Sequence, residues 1–274
     1  MLNKVICVCT LKDADTFSLA TKFIRKYIKA SRYVVIVPES EYEYFIALEL
    51  VGFDVISEKK YSRIALSLSE LNLGSRFGWY FQQFIKMSEL DDGKENDINL
   101  IWDADTIPLR EIDFIKDGLV YFYQGKELHS PYFKLIKALL DEDKLLPTSF
   151  IAQCLPYKVG WFKSFKQHIE KEGNLFWFER IINLIDINES SGFSEYETLG
   201  TYALRLFSDQ MKISNRTDNW YRYGNSLIGS PKNLYKHLNE LKKKYNYISF
   251  ESWDTKTSGF AKRFAKLKMK FNLR

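Results

Sequence analysis

Cysteine and histidine are scarce in this chain. The three cysteines, Cys7, Cys9 and Cys154, show no metal-ligand spacing, and Cys7 and Cys9 share one face of an early apolar run. So sparse and odd a set excludes a disulfide framework and predicts buried, reduced thiols in a cytosolic protein. His129, His168 and His237 stand singly, which suggests neither a zinc site nor a Ser-His-Asp triad. No apolar run approaches the length of a membrane span, and the first residues lack a signal-peptide pattern. The glycine-rich dinucleotide turn and the P-loop are missing too, so dinucleotide and ATP-cradling mechanisms lose ground. There are no internal repeats and no low-complexity linker.

What is abundant is aromatic: 21 Phe, 17 Tyr and 6 Trp among 274 residues. That richness suits sugar-stacking or membrane-proximal surfaces as well as a thick aromatic core. The formal net charge is +5, but residues 258–274 carry Lys262, Arg263, Lys266, Lys268, Lys270 and Arg274 and no acid. Everything before that tail therefore sums to −1, which argues against a general nucleic-acid-binding surface. The division expected is one large domain over 1–257 and a basic tail over 258–274.

The chain is organised around Asn99–Arg110, where the apolar run Leu100-Ile101-Trp102 ends in Asp103-Ala104-Asp105-Thr106 and Pro108 follows. The run has the length of a buried strand, and the proline should stop the ladder near Asp105. Residues i and i+2 point to one side of a strand, so Asp103 and Asp105 can converge on one ligand. At the C-terminal end of a strand in an α/β protein, two carboxylates can hold a hard cation and, through it, a diphosphate. A polar turn that merely caps the strand fits the same residues.

The flanking pattern supports that class. Apolar runs at Lys4–Thr10, Tyr33–Val37 and Phe53–Ile56 alternate with helical stripes at Phe17–Ile28 and Glu41–Leu50. Strand, helix, strand, helix, strand at this spacing predicts a parallel sheet with crossovers. A helix over Gly78–Leu90 precedes the paired aspartates. Its Trp79, Gln82 and Lys86 share a face, which could meet a diphosphate or sugar or simply lie in solvent. Strands are expected at Leu119–Tyr123, Ser149–Pro156 and Tyr247–Glu251, and helices at Pro131–Leu140, Trp161–Glu172, Leu175–Ile185 and Leu234–Tyr245. Asn219–Tyr223 and Ser226–Pro231 read as irregular. Gln153 offers an amide to a ligand. In Phe193-Ser194-Glu195-Tyr196-Glu197, Ser194 is a natural N-cap and Glu197 completes a capping box, leaving Glu195 without a structural duty.

Four pieces in this order, Gly78-Trp79-Tyr80-x-Gln82-Gln83-x-x-Lys86, Trp102-Asp103-Ala104-Asp105-Thr106, Ser149-Phe150-Ile151 and Phe193-Ser194-Glu195-Tyr196-Glu197-x-x-Gly200-x-Tyr202, resemble a bacterial GT-A-type glycosyltransferase. The similarity covers roughly residues 1–230 and is closest to a family found among polysaccharide-assembly enzymes. It implies a GT-A-like α/β fold, a mixed sheet flanked by helices. It also implies a nucleotide-sugar donor, a glycan or lipid-linked acceptor in capsule, O-antigen or lipopolysaccharide synthesis, and Mn²⁺ or Mg²⁺. Asp105 would then bind the metal, and Asp103 the ribose or the metal shell. Trp79, Gln82, Gln83, Lys86 and Arg110 complete the donor site in this reading.

The chemistry needs such parts. A departing diphosphate must be neutralised, which is metal work, with Lys86 or Arg110 adding positive charge. An inverting enzyme also needs a carboxylate to take the acceptor's proton, for which Glu195 is the first choice and Glu197 the second. A retaining enzyme does not need that base in the same place. A haloacid-dehalogenase-type phosphatase also uses Asp-x-Asp, but its motif continues differently and opens the chain. A non-catalytic carbohydrate-binding or scaffold protein is the other alternative. In the tail, Phe260, Phe264, Leu267 and Phe271 recur at helical spacing with the basic residues mostly on other faces. That pattern predicts an interfacial helix on the anionic inner face of the cytoplasmic membrane, and packing on the domain is the competing outcome.

Overall fold

The computed structural model describes residues 1–171 and 174–254. The tail 258–274 and its expected membrane stripe lie outside the described residues. The chain runs β1 (Leu2–Val8), α1 (Ala14–Tyr27), β2 (Ala30–Val37), α2 (Tyr42–Ala47), β3 (Asp54–Ser57), α3 (Ser62–Ser69), α4 (Phe77–Glu89) and β4 (Ile98–Trp102). Then come β5 (Thr106–Pro108), β6 (Ile115–Lys116), β7 (Leu119–Phe122), α5 (Ser130–Leu140), β8 (Cys154–Lys158), α6 (Val159–Glu170) and α7 (Trp177–Ile182). The last elements are α8 (Glu195–Leu206), β9 (Met211–Ile213), α9 (Gly224–Ile228), α10 (Leu234–Lys244) and β10 (Tyr247–Ser249).

Five strands form the main sheet in the order β3-β2-β1-β4-β8. The first four are parallel, and β8 closes the edge antiparallel to β4. The parallel members are the apolar runs of the sequence. Val5, Ile6, Cys7, Leu100, Ile101 and Trp102 are fully enclosed. Strands covered by helices on both faces must be apolar throughout, so these runs are continuous rather than alternating. All three cysteines are free and buried. No helix of the described residues is long and apolar enough to cross a membrane.

The strand order reverses direction between β1 and β4. In open α/β sheets, a crevice forms outside the strand ends at such a switch point. Two smaller ladders shape its surroundings: β10 pairs antiparallel with β5, and β7 sits between β6 and β9.

Several expectations shift in detail. The strand expected over Ser149–Pro156 begins at Cys154, because Gln153 adopts a left-handed backbone (φ 60°) that breaks any ladder. The helix expected over Glu41–Leu50 shortens to α2, with Glu49 (φ 47°) turning the chain. Part of the irregular Ser226–Pro231 stretch is helical in α9.

Candidate active site

β4 ends at Trp102 and the Asp103–Asp105 turn follows directly; the proline does not end the pairing as expected, since Pro108 lies in β5 opposite Tyr247. Three backbone bonds pin that turn: Asp103 N–H donates to Gln153 C=O (3.0 Å), Thr106 N–H to Asp103 C=O (3.0 Å) and Phe250 N–H to Asp105 C=O (2.9 Å). Trp102 anchors it from below, its indole N–H donating to Thr106 C=O at 2.8 Å. The turn forms the floor of a cleft of about 1630 Å³, walled by the exits of β1 to β4, α4, the start of α8 and the segments around Arg222 and Glu251.

Along α4, the predicted face is real, and it faces the cleft rather than solvent: Trp79, Gln82, Gln83 and Lys86 all line it. Lys86 is only 5 % exposed. Its ammonium donates to Asp103 Oδ1 at 2.5 Å and to Glu195 Oε1 at 3.0 Å. Burial disfavours that charge, but the two carboxylates outweigh burial and hold the Lys86 pKa above that of an ordinary lysine. Gln83 fixes the other side of the arrangement, accepting the Glu195 N–H on its Oε1 at 3.0 Å. Tyr196, which the sequence reading left without a role, donates its hydroxyl to Asp103 Oδ1 at 2.7 Å.

Glu195 and Glu197 are two residues apart on α8, about 200° around a helix that turns 100° per residue. They consequently face different neighbours. Glu195 lines the cleft, and burial raises its carboxyl pKa while Lys86 pulls it back. Ser194 caps α8 as expected, accepting the Glu197 N–H at 3.3 Å. The Glu197 side chain does not complete the capping box. Its Oε1 instead accepts from the Ser149 hydroxyl and from Phe150 N–H at 3.2 Å. One turn further on, Gly200 lets Phe150 lie against the helix, where any Cβ would run into the ring. The Ser149-Phe150-Ile151 and Phe193–Tyr202 pieces are thus one interlocked unit, and Glu197 serves it as a clamp outside the cleft lining.

Arg110 is also placed elsewhere. It is exposed, its Nε bonds Asn246 Oδ1 at 2.7 Å, and it does not line the cleft. Arg222 does line it, and it pairs with Glu127 and, at 2.9 Å, with Glu251. Glu251 also accepts from the Gln153 amide (2.9 Å) and the Trp253 indole (2.8 Å). No local pattern marks Arg222 or Glu251, because their partners come from segments far apart in the chain.

Asp105 is half-buried. Burial and the carboxylates of Glu251, Asp103 and Asp13 push its pKa well above the usual range, and the Thr106 hydroxyl at 3.1 Å relieves little of this. No three His, Cys, Asp or Glu side chains form a ready coordination shell among the described residues. The uncompensated carboxylate charge nevertheless suits a hard divalent cation, which takes one or two carboxylates and fills its shell with phosphate oxygens and water.

No family model matches the chain, and no curated protein matches it in sequence. Solved structures do. The apo form of mouse xyloside xylosyltransferase 1 has a TM-score of 0.51 at 10% identity, over 94% of this chain and 100% of that one. The galactosyltransferase LgtC, solved with donor and acceptor sugar analogues, has 0.43 at 11% identity, over 99% and 97%. The apo glycosyltransferase GlyE of Streptococcus pneumoniae has 0.42 at 15%, over 99% and 61%. The central, mostly parallel sheet with helices on both faces is a GT-A glycosyltransferase fold.

Proposed function

We propose that this protein transfers a sugar from a nucleotide-sugar to a saccharide or lipid-linked acceptor, in the assembly of a surface polysaccharide. The observation that carries this reading is the convergence of Lys86, Asp103, Tyr196 and Glu195 beside Asp105, at the switch point of the sheet. The donor lies along the strand exits, where Thr10, Asp13 and the Asp103–Asp105 turn face the cleft. Asp105, with Asp103, would hold Mn²⁺ or Mg²⁺, whose charge supports a departing nucleoside diphosphate.

The chain's own groups do the rest. Lys86 fixes Asp103 and Glu195 in one geometry, and Tyr196 holds Asp103 from the other side. Gln82 offers an amide to the donor sugar from the same helix face. Glu195 takes the proton of the acceptor hydroxyl as that oxygen attacks the anomeric carbon, and burial, by raising its carboxyl pKa, makes it a stronger base.

A panel of nucleotide-sugars, assayed for hydrolysis and transfer with Mn²⁺, with Mg²⁺ and with chelator, tests the reading. Turnover of one member, lost in Asp105→Asn, is the expected result. Wild-type turnover in that variant across metal concentrations overturns the Asp105 assignment. Calorimetric binding of a sugar nucleotide without any turnover favours the non-catalytic reading instead. The basic tail, read from sequence, would bring the enzyme to anionic membrane. Vesicle co-sedimentation of the full chain against residues 1–257 checks this, and equal binding by both refutes it.

A further inference from the structure

The cleft has one wall that the donor site does not use. Tyr245, Tyr221, Tyr223 and Trp253 all line it and follow one another in ring contact, with successive centroids 5.2, 6.0 and 5.8 Å apart. The row runs outward from buried Tyr245 to Tyr223 and Trp253, which are 45% and 55% exposed. A single exposed aromatic is ordinary on a protein surface. What sets these two apart is that they are held in place while uncovered. The Trp253 indole N–H donates to Glu251 Oε2 at 2.8 Å, and the Arg222 guanidinium stands 5.4 Å from the ring centroid. Tyr223 meets Trp253 at 80°, so the two rings form a corner rather than a flat patch.

Strand order places this corner. The sheet runs β3-β2-β1-β4-β8, so β1 and β8 flank the β4 exit on opposite sides. Thr10 and Asp13, which follow β1, line the cleft on the first side. Gln153 lies on the second: it directly precedes β8, and its C=O accepts the Asp103 N–H at 3.0 Å. The Gln153 amide donates to Glu251 Oε1 at 2.9 Å, and Glu251 in turn holds the indole. The path from the aspartate turn to Trp253 therefore leads through Gln153 and Glu251, on the β8 flank. A donor seated in the crevice between β1 and β4 leaves that flank to the other substrate.

An indole face with a second ring at right angles suits a pyranose. The sugar lays its apolar C–H face on one ring and turns its hydroxyls outward, where Lys126, Thr217 and Asp218 of the same cleft can meet them. Because Gln153 and Glu251 separate the indole from the aspartate turn, the ring it takes is not the reacting one.

We propose that Trp253 and Tyr223 form an acceptor subsite that stacks the sugar next to the one whose hydroxyl attacks, so that the enzyme prefers an acceptor of two or more sugars to a monosaccharide. The inference rests on the glycosyl-transfer reading and adds the acceptor's form to it.

The test is transfer kinetics with the nucleotide-sugar that the donor panel identifies. The acceptors are glucose, galactose and N-acetylglucosamine, each against its matched disaccharide: cellobiose, lactose and N,N′-diacetylchitobiose. For the sugar that is used, the wild-type KM should be about 5- to 20-fold lower for the disaccharide, the worth of covering one apolar sugar face. Trp253→Ala should collapse that ratio toward one, and Trp253→Phe, which keeps a ring without the N–H, should fall between. Tyr223→Ala should lose a smaller part. The donor KM should stay within about twofold of wild type in all three variants, and melting curves confirm that each folds. Equal KM for mono- and disaccharide in the wild type overturns the proposal. So does a Trp253→Ala variant whose donor KM rises while the acceptor ratio stays, which makes the indole a platform for the donor's base. Loss of vesicle binding in Trp253→Ala with an unchanged ratio also overturns it and makes the residue a membrane anchor. If a nucleotide-sugar is hydrolysed but none of these saccharides accepts sugar or binds in calorimetry, the subsite fails alone. If no nucleotide-sugar is turned over at all, the glycosyl-transfer reading itself fails and takes the subsite with it.

Discussion

Replacing Lys86 by methionine should destabilise this protein more than almost any other single change in the cleft. Methionine fills similar space but removes the ammonium that Asp103 and Glu195 share. Glu195 has a side chain only 4% exposed, so its carboxylate would be left in the interior without a counter-charge. Asp103, at 18%, keeps some water and the Tyr196 hydroxyl, and contributes less. Breaking a buried pair from one side costs about 3–5 kcal/mol. For a chain of this size that corresponds to a melting temperature lower by about 6–20 °C. The loss must also depend on pH. Removing Lys86 raises further a Glu195 pKa that burial already holds up. A raised carboxyl pKa means folding disfavours the charged form, so the penalty is small below the unfolded value and grows as pH climbs toward the folded one. Lys86→Met should therefore lie nearer to wild type at pH 5 than at pH 8. Combining it with Glu195→Gln removes the stranded charge, so the double variant should be less destabilised than the two single losses added, by about 1–3 kcal/mol. Scanning fluorimetry and urea titration of the four proteins at both pH values supply the measurement. Strict additivity, or a Lys86→Met loss under about 1 kcal/mol, would refute the reasoning.

Asp105→Asn is expected to act in opposite directions on stability and activity. In chelator it should raise the melting temperature by a few degrees, because it relieves repulsion with Asp103, Glu251 and Asp13, while turnover disappears. A lowered melting temperature would contradict this. At the C-terminal end of α4, Glu89 accepts from Lys4 (2.7 Å), Lys60 (2.7 Å) and Tyr61, which outweigh burial and hold its pKa down to about 2. Its pairing is worth about 3 kcal/mol above its unfolded value of 4.5 and is lost between pH 4.5 and 2, so the stability gap between wild type and Glu89→Gln should close across that window. Gly200→Ala should cost about 1–3 kcal/mol in chemical denaturation, by forcing Phe150 off α8. An unchanged midpoint would show that the loop yields freely.

The main sheet was legible because burial on both faces leaves a mark that needs no partner to interpret: β1, β2 and β4 are runs of apolar residues. The short ladders were not. β5, β6 and β9 have two or three residues each; β10 was expected as a strand, but the local sequence cannot announce its pairing, such as Ser249 with Thr106. The helix face of Trp79, Gln82 and Lys86 was visible as spacing, but spacing alone left cleft and solvent both open and leaned toward solvent. Closing that choice required a carboxylate 109 residues away in Glu195. The same limit applies to Glu197. Its capping-box pattern is correct for Ser194 and misleading for the glutamate, whose partners Ser149 and Phe150 are in another segment.

Arg110 shows why nearness in sequence misleads at the mouth of a sheet. It follows Asp105 closely, and a cation there looks well placed to meet a diphosphate. But a chain leaving a parallel strand must turn, and here it enters β5 at once, where pairing with Tyr247–Ser249 dictates its course. Leu109 N–H then donates to Asn246 C=O, and the Arg110 side chain settles on the same asparagine. The cleft wall is built instead by what returns to it: Arg222 from the loop before α9, and Glu251 just after β10.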